Sequence, residues 1–248
     1  NGDIDWSRLK YKSLADLLYQ RRDSQTKIVY INSDGKTEQT YSELYSKAVK
    51  NAAAMRRLGM KKGDKAVFQF IDNRSYIEAF WACMICGITA LPTGVLEDYR
   101  SRNVNTEKLA KICGVFGKLY ILCDDRSKDD VEFFADANNV DAAVYSVSDY
   151  SSEDEEYFCD DNLDFREPCI YLFTSGSTGL PKGVGLSQYK IFARTLGEVQ
   201  MYNIDSSLSD FNWMTLTHAG GIVWSHFRAV YLDAFQVQAD TAVILKEP

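Results

Sequence analysis

Several things that would mark a nucleic-acid, membrane or metal protein are missing from this chain of 248 residues. Lys and Arg number 28 against 35 Asp and Glu, a formal charge of −7, whereas a nucleic-acid surface needs a basic patch. No apolar run reaches the ~18 residues of a membrane span, and no secretory signal opens the chain, so a cytoplasmic location is expected. The six cysteines include one CxxC, Cys83 and Cys86, inside an apolar helical stretch, with no second CxxC or CxxH to complete a zinc site. Free, buried cysteines are the reading that fits a reducing compartment. The acid excess has a local source in Asp149, Glu153, Asp154, Glu155, Glu156, Asp160 and Asp161, which reads as a solvated surface loop. There is no internal repeat.

What is present is a steady alternation of helix and strand signals. Ser13-Leu14-Ala15-Asp16 reads as a capping box ahead of an apolar face of Leu14, Leu17 and Leu18. A strand over 27–31 and a turn over 33–36 follow. Thr40-Tyr41-Ser42-Glu43 is a second capping box, opening a helix with Leu44, Ala48, Ala52, Met55 and Leu58 on one face and Arg56, Arg57 and Gly59 at its end. Then come strand 66–71, helix 75–86 capped by Asn73, strand 88–91, helix 107–113, strand 118–123, helix 131–137 and strand 142–147. Beyond the acidic run lie strands 169–174 and 183–186, helix 189–200, strand 211–216, helix 221–231 and strand 235–237. Strands separated by helices predict right-handed crossovers and mainly parallel sheets flanked by helices, an α/β fold. The acidic run predicts a boundary, with one subdomain over 1–160 and a second beginning over 161–248.

The chemistry concentrates in Thr174-Ser175-Gly176-Ser177-Thr178-Gly179-Leu180-Pro181-Lys182-Gly183, which follows an apolar strand. Glycines let the backbone approach a ligand, consecutive N–H groups can converge on an anion, and hydroxyls and a lysine add donors and charge. The set suits a polyphosphate. A P-loop needs GxxxxGK[ST] opening a helix, but here Gly183 follows Lys182 and a strand follows both. The dinucleotide fingerprint GxGxxG is absent from the segment, and a mere flexible linker remains the alternative.

This segment resembles the phosphate loop of the adenylate-forming superfamily, which includes acyl-CoA synthetases, fatty acyl-AMP ligases and nonribosomal peptide synthetase adenylation domains. Thr40-Tyr41-Ser42-Glu43-Leu44, the stretch Trp81 to Pro92, and Thr217-His218-Ala219-Gly220-Gly221 resemble further family motifs in the family's order. The resemblance implies activation of a carboxylic acid by Mg-ATP to acyl-AMP and pyrophosphate, then transfer to the phosphopantetheine of a carrier protein or to coenzyme A. It implies ATP and Mg2+ as cofactors, with Thr174, Ser175, Gly176, Ser177, Thr178, Gly179 and Lys182 on the phosphates. Lys182 and Thr178 are the catalytic candidates, and Thr178 is also the candidate for approaching the metal. His218, Ala219, Gly220 and Gly221 would line the acyl side.

Amino-acid-activating domains place an Asp where this chain aligns His218, and an unpaired buried ammonium is costly. A fatty, hydroxy or aryl acid without an α-amino group is therefore expected, as in acyl-activating starter domains of hybrid peptide–polyketide synthetases. An amino-acid-activating domain and a non-catalytic nucleotide-binding module are the alternatives. The chain departs from the family at Leu186-Ser187-Gln188, where a His often stands. The later adenine and ribose motifs and the C-terminal lysine domain are not found, so a truncated N-terminal core, inactive alone, is expected.

Overall fold

The computed structural model describes residues 3–151, 164–174 and 181–246. In chain order the elements are α1 (Leu14–Tyr19), β1 (Lys27–Asn32), β2 (Gly35–Thr40), α2 (Tyr41–Arg57), β3 (Lys65–Gln69), α3 (Asn73–Cys86), β4 (Thr89–Pro92), α4 (Val104–Phe116), β5 (Leu119–Cys123), α5 (Lys128–Ala137), β6 (Ala142–Ser146) and α6 (Val147–Tyr150). They continue with β7 (Pro168–Thr174), β8 (Lys182–Ser187), α7 (Gln188–Tyr202), β9 (Asp210–Asn212), a π-helical stretch Gly220–Phe227, α8 (Arg228–Leu232), β10 (Gln236–Ala239) and α9 (Thr241–Lys246).

Local chemistry sets most of these boundaries. Thr40 accepts the Glu43 N–H at 3.1 Å while the Glu43 carboxylate accepts the Thr40 N–H at 2.7 Å, both arms of the expected box. At α1 only half the box forms: Ser13 accepts the Asp16 N–H, and the Asp16 carboxylate turns to Lys12 N instead. At α3 the cap is Asp72, not Asn73. Asp72 accepts the Ser75 N–H at 2.8 Å, and the Asn73 amide instead donates to Asp240 across the sheets. Gly87 closes α3 at φ 68°, a left-handed position that glycine takes without strain.

Ten strands of the described residues form two sheets, ordered β2-β1-β10-β9 and β6-β5-β3-β4-β7-β8. All neighbours are parallel except the β1–β2 and β7–β8 pairs. The mainly parallel α/β fold stands. Strands from both sides of residue 160 share each sheet: β1 pairs with β10, and β4 with β7. The acidic run lies mostly outside the described residues, and the sheets do not divide at residue 160. Strand β2 escaped the sequence reading because Lys36, Thr37 and Glu38 are all exposed on a polar edge, which leaves no apolar alternation to see.

Apolar alternation places the core. On β3, Ala66 and Phe68 join the cluster that holds α1, α2, α3 and residues of both sheets, while Val67 faces the opposite side with α4 and α5. Trp81, Tyr41, Phe80 and Phe192 are the large side chains that fill the first cluster. The described cysteines Cys83, Cys86, Cys113, Cys123 and Cys169 are buried and form no disulfide with one another, and burial pushes the Cys113 and Cys169 thiols up to about 12. Among the described residues no helix is long and apolar enough to cross a membrane.

Candidate functional site

In an open parallel sheet, ligands sit beyond the carboxyl ends of the strands, where successive crossovers leave in opposite directions. Here β3 is flanked by β4 on one side and β5 on the other, so such a point lies at its end. Two cavities open there. The first, of about 370 Å³, is walled by the turn Pro92–Leu96, by Asn105 and Lys108 of α4, by Phe173, Thr174 and Pro181, and by Thr217 and His218. The second, of about 270 Å³, shares Gly94, Val95 and Thr217 with it and is lined chiefly by Phe70, Tyr76, Met214, Leu216 and Asp240. Both sheets therefore send the ends of their parallel strands to one place.

Side-chain amides hold the walls. Gln69, fully buried at the end of β3, donates to Thr93 Oγ1 and to the Gly94 carbonyl, and its own oxygen accepts the Tyr99 hydroxyl at 2.7 Å. Asn212, at the end of β9, accepts the Met214 N–H at 3.0 Å and donates to the Met214 carbonyl at 2.9 Å. These local bonds replace a ladder, which is why the strand expected over 211–216 stops at Asn212. The expected helix over 221–231 is π-helical as far as Phe227 and α-helical only from Arg228. Such widened turns often accompany functional sites.

Of the residues expected on the phosphates, Thr174 and Lys182 are described. They face each other in the antiparallel register of β7 and β8, with the Thr174 hydroxyl donating to the Lys182 carbonyl at 3.4 Å. Ser175, Gly176, Ser177, Thr178 and Gly179 lie outside the described residues. Gly183 has a physical reason of its own: a Cβ there would stand 3.2 Å from the Phe173 ring, so the glycine seats a cross-strand aromatic.

Of the residues expected on the acyl side, His218 is exposed on the first cavity and Ala219 is half-buried. Gly220 and Gly221 are buried and line neither cavity. A Cβ on Gly221 would stand 2.5 Å from the Thr215 carbonyl oxygen, and one on Gly220 would stand 2.7 Å from Met214 Sδ. The pair lets the π-helical stretch close onto the wall strand from behind. Lys108 and Asn105 were not anticipated. Their only signal is a lysine and an amide on the first turns of a short helix, which reads as ordinary surface.

The first cavity has a distinct charge. In a chain with seven more acids than bases, none of its described lining residues is a carboxylate. Lys108 has no ion-pair partner among the described residues, His218 shares the same lining, and Lys182 pairs with the lining Thr174. A cationic, hydroxyl-bearing cleft suits a polyanion. Its described residues offer no carboxylate to hold a metal, so a divalent ion would depend on oxygens of the anion itself. The second cavity is apolar with one acid, Asp240, whose carboxyl burial lifts to about 6.

A parallel α/β scaffold with a cationic cleft at the strand ends defines a nucleotide- or phosphate-handling domain. The family model of the AMP-binding enzymes matches residues 19–243, and the chain belongs to that family, the adenylate-forming enzymes. It is 28% identical over 237 residues to the nonribosomal peptide synthetase apvA of Aspergillus terreus, covering 92% of this chain and 25% of that protein. Among solved structures it resembles McyG A-PCP complexed with phenylalanyl-adenylate, at TM-score 0.89 and 30% identity, over 96% of this chain and 38% of that one. It also resembles the adenylation domain of a keto acid-selecting NRPS module bound to keto acyl adenylate, at TM-score 0.87 and 28% identity, over 100% of this chain and 46% of that one. The chain thus spans a quarter to under a half of the lengths of these relatives.

Proposed function

We propose that this chain supplies the phosphate-binding and acyl-facing walls of an enzyme that converts a carboxylic acid and ATP to acyl-AMP and pyrophosphate. The observation that carries this is the meeting of Thr174, Lys108, Thr217 and His218 around one cleft whose described lining holds no carboxylate, with Lys182 paired across from Thr174 in the adjoining strand. Lys182 and Lys108 offset charge on the β- and γ-phosphates, the future leaving group, together with Ser175 to Gly179 of the loop. Thr178 would approach an Mg2+ carried on those phosphates, which would offset their charge. ATP supplies the electrophilic α-phosphorus. The acid's carboxylate oxygen bonds to it in line while the bond to the bridging oxygen of pyrophosphate breaks, and the protein contributes position and charge.

His218, Thr217 and Met214 face the acid. His218 offers no fixed negative charge to an ammonium, which favours an acid without an α-amino group; the keto acyl adenylate held by one relative is of that kind. Acyl transfer to a carrier-protein or coenzyme A thiol follows, and the A-PCP architecture of another relative supports the carrier. A second reading has its own observations: Asp240 lines the apolar cavity, and a relative holds phenylalanyl-adenylate, so an amino acid could be the acid activated.

ATP–pyrophosphate exchange in the intact protein decides between these readings, run against fatty, hydroxy, keto, aryl and amino acids. Exchange that depends on an acid lacking an α-amino group supports the first reading. Exchange driven by an α-amino acid overturns it in favour of the second. ATP binding without exchange for any acid points to a non-catalytic nucleotide module.

A further inference from the structure

Residues 213–217, which wall the second cavity from Met214 on and reach the first at Thr217, follow β9 yet pair with no strand among the described residues. Its backbone groups are met by side chains. Asn212 takes both polar groups of Met214, the Thr241 hydroxyl donates to the Trp213 carbonyl at 2.7 Å, and the Tyr76 hydroxyl donates to the Leu216 carbonyl at 2.9 Å. A strand end held this way keeps its place only as long as those side chains keep theirs.

Asn212 in turn ends a buried relay. Its Nδ2 also donates to Gln238 Oε1 at 2.8 Å, Gln238 Nε2 donates to Gln236 Oε1 at 2.7 Å, and the same oxygen faces His226 Nδ1 at 2.9 Å. Trp81 Nε1 donates to His226 Nε2 at 2.9 Å. Every member is buried. The relay has one polarity. An indole N–H can only donate, so His226 Nε2 accepts and Nδ1 carries the ring proton, which it gives to Gln236. Gln236 Nε2 then donates to the Tyr41 hydroxyl at 2.7 Å, and that hydroxyl donates to the Ala234 carbonyl at 2.6 Å. At the far end the Met214 N–H can only donate, which fixes the Asn212 oxygen toward it. The two ends agree, and no amide between them can flip without opposing two acceptors or two donors.

We infer that Asn212 is a positioning residue for the acid: it sets the wall at Met214–Thr217, and the relay from Trp81 through His226, Gln236 and Gln238 locks its amide in the one orientation that serves both groups of Met214. The inference rests on the reading of these cavities as an adenylation site. Asn212 touches no cavity itself and acts through the residues it holds.

Two variants of the intact protein test this, Asn212→Asp and Thr241→Val. Aspartate keeps an oxygen for the Met214 N–H but brings a second oxygen against the Met214 carbonyl and Gln238. The KM for the acid should rise about tenfold with kcat and the KM for ATP nearly unchanged. Thr241→Val removes an anchor of an incompletely buried residue and leaves the relay intact, so it should raise the KM for the acid about threefold without lowering Tm. Backbone hydrogen exchange at 213–217 should quicken in both. Unchanged acid KM in both variants, or equal shifts in acid and ATP KM, would overturn the inference. If the unaltered protein shows no acid-dependent exchange, the adenylation reading falls, and hydrogen exchange still decides the pinning: no change at 213–217 refutes it.

Discussion

The chain's two histidines stand eight residues apart, His218 in the turn ahead of one π-helical stretch and His226 near that stretch's end, and the structure has given them opposite conditions. His218 is exposed on the cationic cleft, and its imidazole has no hydrogen bond among the described residues. His226 is fully buried between Trp81 and Gln236, with both ring nitrogens taken. Burial lowers its pKa to about 4, so it is a neutral ring whose tautomer is dictated by its neighbours. One end of the stretch is left open for a ligand while the other is saturated by the protein. A binding wall needs free groups facing the ligand and satisfied groups behind it, and the comparison places that division within two turns of one helix.

The comparison is broken most severely at the buried end. His226→Ala strands the Trp81 N–H, takes away one of the two donors to the Gln236 oxygen and opens a void beside Trp81, so it should destabilise the protein by about 4 kcal/mol, read as a fall in the urea midpoint. The pH dependence is the next largest effect. Between about 4 and the ordinary 6.5 the unfolded chain binds a proton on this ring that the native state refuses. The resulting stability is present above pH 6.5 and is lost as pH falls toward 4, a change of about 3 kcal/mol. Asp240 has the opposite sign, since its raised carboxyl holds a proton in the native state and loses that advantage as pH rises through about 6. A His226→Gln variant can accept from Trp81 and donate to Gln236 without titrating. The difference between its stability-versus-pH curve and that of the unaltered protein should change by about 3 kcal/mol across this window, the Asp240 contribution cancelling between the two.

How far the residues disclosed all this depends on the range of the interaction. Capping signals act within a turn, so the box at Thr40 and Glu43 was readable in full, whereas the cap at α3 fell one residue away because Asn73 is engaged by Asp240, 167 positions later. Apolar alternation showed the parallel strands but not β2, whose residues are mostly exposed and polar. The phosphate loop stood out by composition, and the structure brings its two flanks together at Thr174 and Lys182. Lys108 could not be found, because nothing in Glu107-Lys108-Leu109 tells which way a surface lysine faces until α4 is docked beside β7. Asn212, Gln236 and Gln238 read as ordinary polar residues of short strands. Their roles exist only once Trp81 and His226 lie between the sheets.

The glycines behind the wall sharpen the comparison at intermediate size. Gly221→Ala would set a Cβ 2.5 Å from a backbone oxygen that is held in place, so either the wall or the π-helical stretch must move. A loss of about 2 kcal/mol is expected, with a raised KM for the acid. Gly220→Ala meets only the end of the Met214 side chain, which is 43% exposed and can swing aside, so a change below about 1 kcal/mol is expected. Thermal unfolding of the two single variants separates them. Equal losses would mean that the wall is not fixed by its backbone.

The smallest structural effect belongs to the open end. His218→Ala removes an exposed ring with no described hydrogen bond, so Tm should stay within the range of an ordinary surface substitution, about 0.5 kcal/mol or less. Its consequence lies in recognition. If His218 faces the acid and Lys182 and Lys108 face the phosphates, as proposed, truncation should raise the KM for the acid severalfold while the KM for ATP holds. His218→Asp carries the argument further, since it installs the carboxylate that an ammonium needs. That variant should turn away acids lacking an amino group and give any α-amino acid its best chance of exchange. An unchanged acid preference in both variants would move the specificity wall away from His218 and toward Asp240 in the neighbouring cavity.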